Sequence, residues 1–190
     1  MISKVLKARI YLIIILFLFT TPFIASWYLV FFTDFKKNDQ GVEHGELIVP
    51  VLKVGPIYAQ SINSQEVREL KDKWILTGFT QERCDDRCEQ LLYKLRQIRL
   101  AIGKDIDKVD RLVISIDNLQ SHVEQYKGQN IIVDPDERDR LYVLFQQVEN
   151  FDQGSIFLID PYGFLMMQYD FDAEPKGIIR DIERLIKNSK

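Results

Sequence analysis

The chain has 190 residues, 46% of them apolar, and a formal net charge of −3. That length holds one domain of ordinary size plus an appendage. The mild acidity, with no basic block, excludes a nucleic-acid surface, which needs a positive electrostatic footprint.

The appendage comes first. From Ile10 to Phe32 the sequence is almost wholly apolar and uncharged, with Trp27, Tyr28, Phe31 and Phe32 toward its end. A helix of about 20 such residues crosses a bilayer, so 10–32 is expected to be a transmembrane anchor in contact with lipid. A cleaved signal peptide is the alternative, but its apolar core is roughly 7–15 residues and ends in a small-x-small site. This run is longer, and only Ala25 offers a cut. Lys4, Lys7 and Arg9 precede the span, whereas Asp34, Lys36 and Lys37 follow it. The positive-inside rule therefore leaves residues 1–9 in the cytoplasm and the body of the protein outside it. In a bacterium that compartment is the periplasm, where a disulfide persists.

Residues 33–72 carry Gly41, Gly45, Pro50, Gly55 and Pro56 between short apolar pieces such as Leu47-Ile48-Val49. They read as a juxtamembrane tether that becomes an edge strand or hairpin against a domain at 73–190. Trp74 to Phe79 has the pattern of a buried strand. Beyond it Cys88, Leu91, Leu92, Leu95, Ile98 and Ile102 recur at amphipathic-helix spacing, and Gly103 is placed to end that helix. Val109 to Ile116 supplies a second buried strand, which completes a βαβ unit. Asp117 to Gln129 is polar and reads as loop. Asn130 to Val133 is a short apolar run closed by Asp134-Pro135, after which Leu141, Leu144, Phe145 and Val148 stripe another helix. Ser155 to Ile159 and Phe164 to Tyr169 form a hairpin through Asp160-Pro161-Tyr162-Gly163. Pro175 opens a last helix with Ile178, Ile179, Ile182, Leu185 and Ile186 as its buried stripe. This order defines an α/β, thioredoxin-like fold, a central mixed sheet flanked by helices.

The only two cysteines, Cys84 and Cys88, fall where the first strand hands over to its helix. A helix N-terminus exposes unpaired N–H groups and a positive dipole end, which favour a thiolate. Thiol–disulfide exchange and soft-metal binding are the chemistries open to such a pair. Helical residues four apart keep their Cβ atoms roughly 5–6 Å apart, beyond the ~3.5–4.5 Å of a relaxed disulfide. Either Cys84 precedes the helix, or oxidation rearranges the first turn. A loop this short gains only about 2 kcal/mol from cross-linking, so a purely structural staple is the weaker explanation. Glu82, Asp85, Asp86 and Glu89 raise a thiol pKa, whereas Arg83, Arg87 and the helix end lower it. Carboxylates beside two soft sulfurs favour an approaching cation, which suits copper. Lys94, Arg96, Arg99 and Lys104 read as a solvated helix face, with partner docking as the alternative.

Several stretches carry a family likeness: Lys73-Trp74, Phe79-Thr80 before CxxxC, Val113-Ile114-Ser115-Ile116-Asp117, and Ile156-Phe157-Leu158-Ile159-Asp160-Pro161-Tyr162-Gly163. With the membrane anchor they resemble the Sco family of copper-handling, thioredoxin-like assembly factors for cytochrome c oxidase, over most of Trp74 to Lys190. Gly45-Glu46-Leu47-Ile48, Cys84-Asp85-x-x-Cys88 and Leu95-Arg96-Gln97-x-Arg99 are more similar to a bacterial membrane-bound offshoot of that family. The resemblance implies work on a haem–copper terminal oxidase, with an oxidase subunit or another assembly factor as partner. It also implies that Cys84 and Cys88 are the redox-active pair and copper ligands. The third family ligand, a histidine before the hairpin, is missing, since the chain reads Asn150-Phe151-Asp152-Gln153-Gly154-Ser155 there. The proline that precedes the equivalent strand of ordinary thioredoxins is missing too. His122, taken as the only histidine of the folded part, is expected at the same sheet edge as the cysteines and is the candidate substitute ligand. Asp152 and Gln153 stand at the vacant position but offer hard oxygens. Met166 and Met167 face opposite sides of a regular strand, so at most one reaches a metal.

These readings leave three functions open. The pair delivers copper or reduces an oxidase subunit's thiols; the domain is a non-catalytic scaffold in oxidase assembly; or it is a general periplasmic thiol–disulfide oxidoreductase.

Overall fold

The computed structural model describes residues 4–32, 44–64, 66–80, 84–115 and 126–189. The chain forms two compact units, Met1–Val42 and Glu43–Lys190. In the first, helix α1 spans Lys4–Phe32. Among the described residues it is the one helix long and apolar enough to cross a membrane, through a 20-residue stretch, Arg9–Tyr28, of mean hydropathy 2.1.

The second unit is a mixed eight-stranded sheet covered on both faces. Its strands are β1 (Glu46–Lys53), β2 (Ile57–Ser61), β3 (Val67–Leu70), β4 (Trp74–Thr80), β5 (Val109–Ser115), β6 (Asn130–Ile131), β7 (Ile156–Ile159) and β8 (Phe164–Tyr169). They lie in the order β1-β8-β7-β4-β5-β6-β2-β3. β4 and β5 run parallel, with Gly78 opposite Val113, while β7 runs antiparallel to β4. The piece 33–72 thus contributes β1, β2 and β3 to the two outer ends of this sheet.

Helices α2 (Asp86–Ala101) and α4 (Pro175–Asn188) cover one face and α3 (Pro135–Phe145) the other. Strand alternation sorts the side chains between them. Trp74, Leu76, Val113 and Leu158 join Leu91, Leu95, Ile178 and Ile182 in one layer. Ile75, Phe79, Leu112 and Phe157 join Leu141 and Phe145 in the other. Phe79 sits edge-on to Phe145, Phe151 and Phe157 at centroid distances of 4.7, 5.3 and 5.8 Å. Gly103, in the left-handed region at φ +65°, follows α2 as expected of a C-terminal glycine.

Two details depart from the pattern read in the sequence. A β-bulge shifts the β7–β8 register, so that Leu158 faces Met167 while Ile159 faces Leu165. The extra residue, Met166, resets the alternation, and Met166 and Met167 both pack in the α2/α4 layer rather than on opposite faces. His44, assigned to the tether, belongs to the folded unit. Its backbone N–H donates to Asp181 Oδ2 of α4 at 2.7 Å, and its Nδ1 lies 3.2 Å from Asp181 Oδ1. His122 is therefore not the sole histidine of the domain, and it lies outside the described residues.

Arg111, on β5, is 2% exposed. Its Nη2 donates to the Lys127 carbonyl at 2.7 Å, while Nε and Nη1 have no partner among the described residues. Burial, then the charges of Arg99 and Arg96, push its pKa down to about 10. A buried charge so poorly compensated contributes little to stability. Arg111→Met is therefore expected to be neutral or stabilising in chemical denaturation of the detergent-solubilised chain. A loss above about 1 kcal/mol would show that the single bond to Lys127 outweighs the desolvation.

Candidate functional site

β4 ends at Thr80 and α2 starts at Asp86, so the cysteines straddle the start of the helix. Asp85 is the N-cap, extended at φ −90° and ψ −174°, and its side chain accepts the Cys88 N–H at 3.0 Å. Such a cap satisfies one of the four free N–H groups of a helix start. Cys84 consequently lies in the loop and Cys88 in the first turn. Their Cα atoms are 5.0 Å apart and the sulfurs are joined as a disulfide. Of the two arrangements the sequence allowed, Cys84 ahead of the helix is the one adopted. Cys88 is buried at 4% exposure, whereas Cys84 is partly open to solvent.

Beside the disulfide lies a cavity of about 150 Å³ whose walls include Thr80, Arg87, Cys88, Gln153 and Gly154. Arg87 is held from three sides. Its Nη2 donates to Asp152 Oδ2 at 2.7 Å, its guanidinium lies 4.7 Å from the centre of the Phe171 ring, and it packs on Gly154. A Cβ on Gly154, at φ +104°, would come within 2.9 Å of Arg87 Nε. Lys94 reinforces the same corner, since its Nζ donates to the Phe171 carbonyl and lies 4.7 Å from that ring centre.

Asp152 and Gln153 are thus brought to the cysteines, but in roles the sequence did not reveal. Asp152 is the counter-ion of Arg87, and Gln153 lines the cavity with Oε1 buried and unpartnered among the described residues. Thr80 Oγ1 and Ser155 Oγ are likewise buried without a described partner. An unmade hydrogen bond of this kind costs about 1–3 kcal/mol. Of the carboxylates expected to draw in a cation, Asp85 is committed to the helix cap, while Asp86 and Glu89 lie on the exposed side of the first turn of α2. Glu82 and Arg83 lie outside the described residues. The basic helix face is also less solvated than its spacing suggests, because Lys94 is tied to Phe171 and Arg99 Nε donates to the Val109 carbonyl at 2.6 Å.

A soft metal would need a third donor beside the two sulfurs, and the described residues do not fit that need. They contain no group of three or more His, Cys, Asp or Glu that could hold an ion. Met167 is buried, with its sulfur 3.4 Å from the Tyr169 hydroxyl that donates to it. A guanidinium stands beside Cys88 on the cavity wall.

A disulfide at the C-terminal end of the first parallel strand, on a mixed sheet with helices on both faces, defines a thioredoxin-like protein. The chain belongs to the family described as the transmembrane-like, thioredoxin-like C-terminal domain, which it matches over residues 74–189. No curated protein matches it in sequence at a significant level. Among solved structures it resembles ScoI of Bradyrhizobium japonicum with copper bound, at 21% identity and a TM-score of 0.55, over 68% of this chain and 97% of that one. It also resembles BsSco, described as a member of the Sco family of cytochrome c oxidase assembly proteins, at 14% identity and 0.56, over 72% and 94% of the two chains. The thioredoxin domain of a thiol-disulfide oxidoreductase from Bacteroides vulgatus is similar at 18% identity and 0.51, over 71% and 96%. At these identities the likeness is one of fold.

Arg87, Asp152 and Gly154 form one structural unit. Gly154→Ala is expected to lower stability by about 1–3 kcal/mol, read in the same denaturation assay, because it strains the backbone and displaces the guanidinium. An unchanged midpoint would mean that Arg87 rests there without constraint.

Proposed function

We propose that the chain is a membrane-anchored thiol–disulfide exchange protein that reduces the cysteines of a haem–copper oxidase subunit before copper is inserted. The observation that carries this reading is the Cys84–Cys88 disulfide at the start of α2, with Cys84 partly open to solvent and Cys88 lining a cavity. The apolar helix ahead of the domain supports anchoring, Lys4, Lys7 and Arg9 before it support a domain in the periplasm, and the fold shared with BsSco supports the oxidase as the setting. In the reduced pair, the Cys84 thiolate attacks a client disulfide, and one client sulfur leaves as a thiolate and takes up a proton. The Cys88 thiolate then attacks Cys84 Sγ, releases the second client thiol and leaves the pair oxidised. Two electrons return to the pair from an upstream dithiol donor.

Copper delivery is the weaker reading. ScoI of B. japonicum is a copper-bound structure, but here Arg87 shares the cavity wall with Cys88 and the described residues contain no group of three or more His, Cys, Asp or Glu that could hold an ion. The reduced chain is accordingly expected to yield Cu(I) to a competing chelator such as bicinchoninate. Retention of one equivalent would restore copper carriage.

The exchange reading predicts a trapped intermediate. In cell membranes, full-length Cys88→Ser should accumulate a mixed disulfide between Cys84 and an oxidase subunit, and Cys84→Ser should not. Normal oxidase maturation in the doubly substituted chain, with no adduct in either single variant, would instead assign the domain to a scaffold. Adducts with many unrelated proteins would indicate a general oxidoreductase.

A further inference from the structure

We propose that the outward side of α2 and α4, at the ends of these helices away from the disulfide, rests on the anionic phospholipid headgroups of the membrane. The inference rests on the anchoring in the reading above and adds how the domain is held against the bilayer. β4 and β8 both run antiparallel to β7, so α2 and α4, which follow them, start at the same edge of the sheet and run toward the other. Their far ends are cationic. α2 and the short 3₁₀ helix Gly103–Lys108 behind it expose Arg96 and Lys104, and α4 exposes Arg180, Arg184 and Lys187. The exposed carboxylates on those segments are Asp107 and Glu183, while Asp105 is taken by Lys108 at 2.6 Å. Arg96, Lys104, Arg180 and Lys187 make no ion pair among the described residues.

Charge alone suits any anionic partner, and two further observations select lipid. Leu100, 48% exposed, stands one turn after Arg96 and shortly before Lys104, the combination of an apolar side chain with flanking cations that seats a helix in a headgroup layer. The chain also enters the domain against α4, where the His44 N–H donates to Asp181 Oδ2 at 2.7 Å and a Cβ on Gly177 would come within 2.7 Å of His44. Residues 33–43 join that point to Phe32, the end of the apolar helix, a connection of at most about 40 Å even when extended. Lipid is therefore within reach of α4. The disulfide ends of the same helices carry Asp85, Asp86 and Glu89 on α2 and Asp170, Asp172 and Glu174 ahead of α4, against Arg87 and Lys176, so an anionic surface repels them. Docking in this way leaves Cys84 facing away from the bilayer.

The test uses the full-length protein in nanodiscs of phosphatidylcholine alone or of an equal mixture of phosphatidylcholine and phosphatidylglycerol. The acylation rate of each lysine by an N-hydroxysuccinimide ester is read by mass spectrometry. Lys104 and Lys187 should react about five-fold more slowly in the anionic discs, the weight of one cation at such a surface, while Lys53 and Lys71, at the two outer ends of the sheet, keep their rates. Salt at 1 M, where the screening length falls to about 3 Å, should remove the difference. Arg96→Gln combined with Arg180→Gln should remove it as well, and Leu100→Gln should weaken it. The comparison of discs on the wild-type protein decides the matter even if a variant fails to fold. Rates at Lys104 and Lys187 that agree within about two-fold between the discs, or equal slowing of Lys53 and Lys71, would refute the face while anchoring and exchange stand. Slowing of Lys104 and Lys187 by added terminal oxidase in neutral discs, without an effect of anionic lipid, would assign the face to an acidic protein instead. A chain that stays in solution without entering the discs would overturn anchoring and this inference with it.

Discussion

The site depends on how α2 meets β4. Leu91 lies directly over Gly78, where an added Cβ would come within 2.9 Å of Leu91 Cδ2. Gly78 is one of the four β4 residues, Ile75, Leu76, Thr77 and Gly78, that pair with both β5 and β7. A helix docked that closely on the middle of the sheet has little freedom to slide, because close-packed interiors transmit displacements rather than absorb them. Its first turn is consequently delivered to the end of β4, where the Asp85 cap orders the Cys88 backbone and leaves Cys84 outside the helix. The disulfide is the result of that placement.

Around this contact the charges are arranged to close a corner. Arg87 sits between the two cysteines in sequence, yet its partners are Asp152 and Phe171, contributed by the segments on either side of the β7–β8 hairpin. Lys94, two turns along α2, returns to the same phenylalanine. Cation–π contacts of this kind contribute about 0.5–2 kcal/mol each, and the two share one ring. The consequence is chemical as well as mechanical, since a cation entering the cavity that Cys88 lines meets the positive charge of Arg87.

Much of the fold was legible because its signals are local. The apolar run Trp74 to Phe79, the i, i+3, i+4 stripe from Cys88 to Ile102 and the Asp160-Pro161-Tyr162-Gly163 turn each announce an element within a few residues. In that turn Asp160 Oδ1 accepts the N–H groups of Tyr162 and Phe164, and Gly163 adopts φ +81°. The bulge at Met166 carried no such mark, because its neighbours are all compatible with a regular strand. His44 was misplaced for a related reason, as its anchor, Asp181, is 137 residues away. At the site the cysteine pair could be read directly, but the capture of Asp152 by Arg87 and the burial of Thr80 Oγ1 and Gln153 Oε1 without a described partner depend on distant segments meeting.

The central claim is that Cys84–Cys88 is an exchangeable couple and not a staple. A redox titration of the full-length chain in micelles, across dithiothreitol and glutathione buffers, tests it most directly when the thiol state is read by alkylation and mass and the fold by circular dichroism. The account predicts that the disulfide opens and closes reversibly as a single two-electron step while the domain stays folded. A disulfide that resists reduction until the domain unfolds would contradict it.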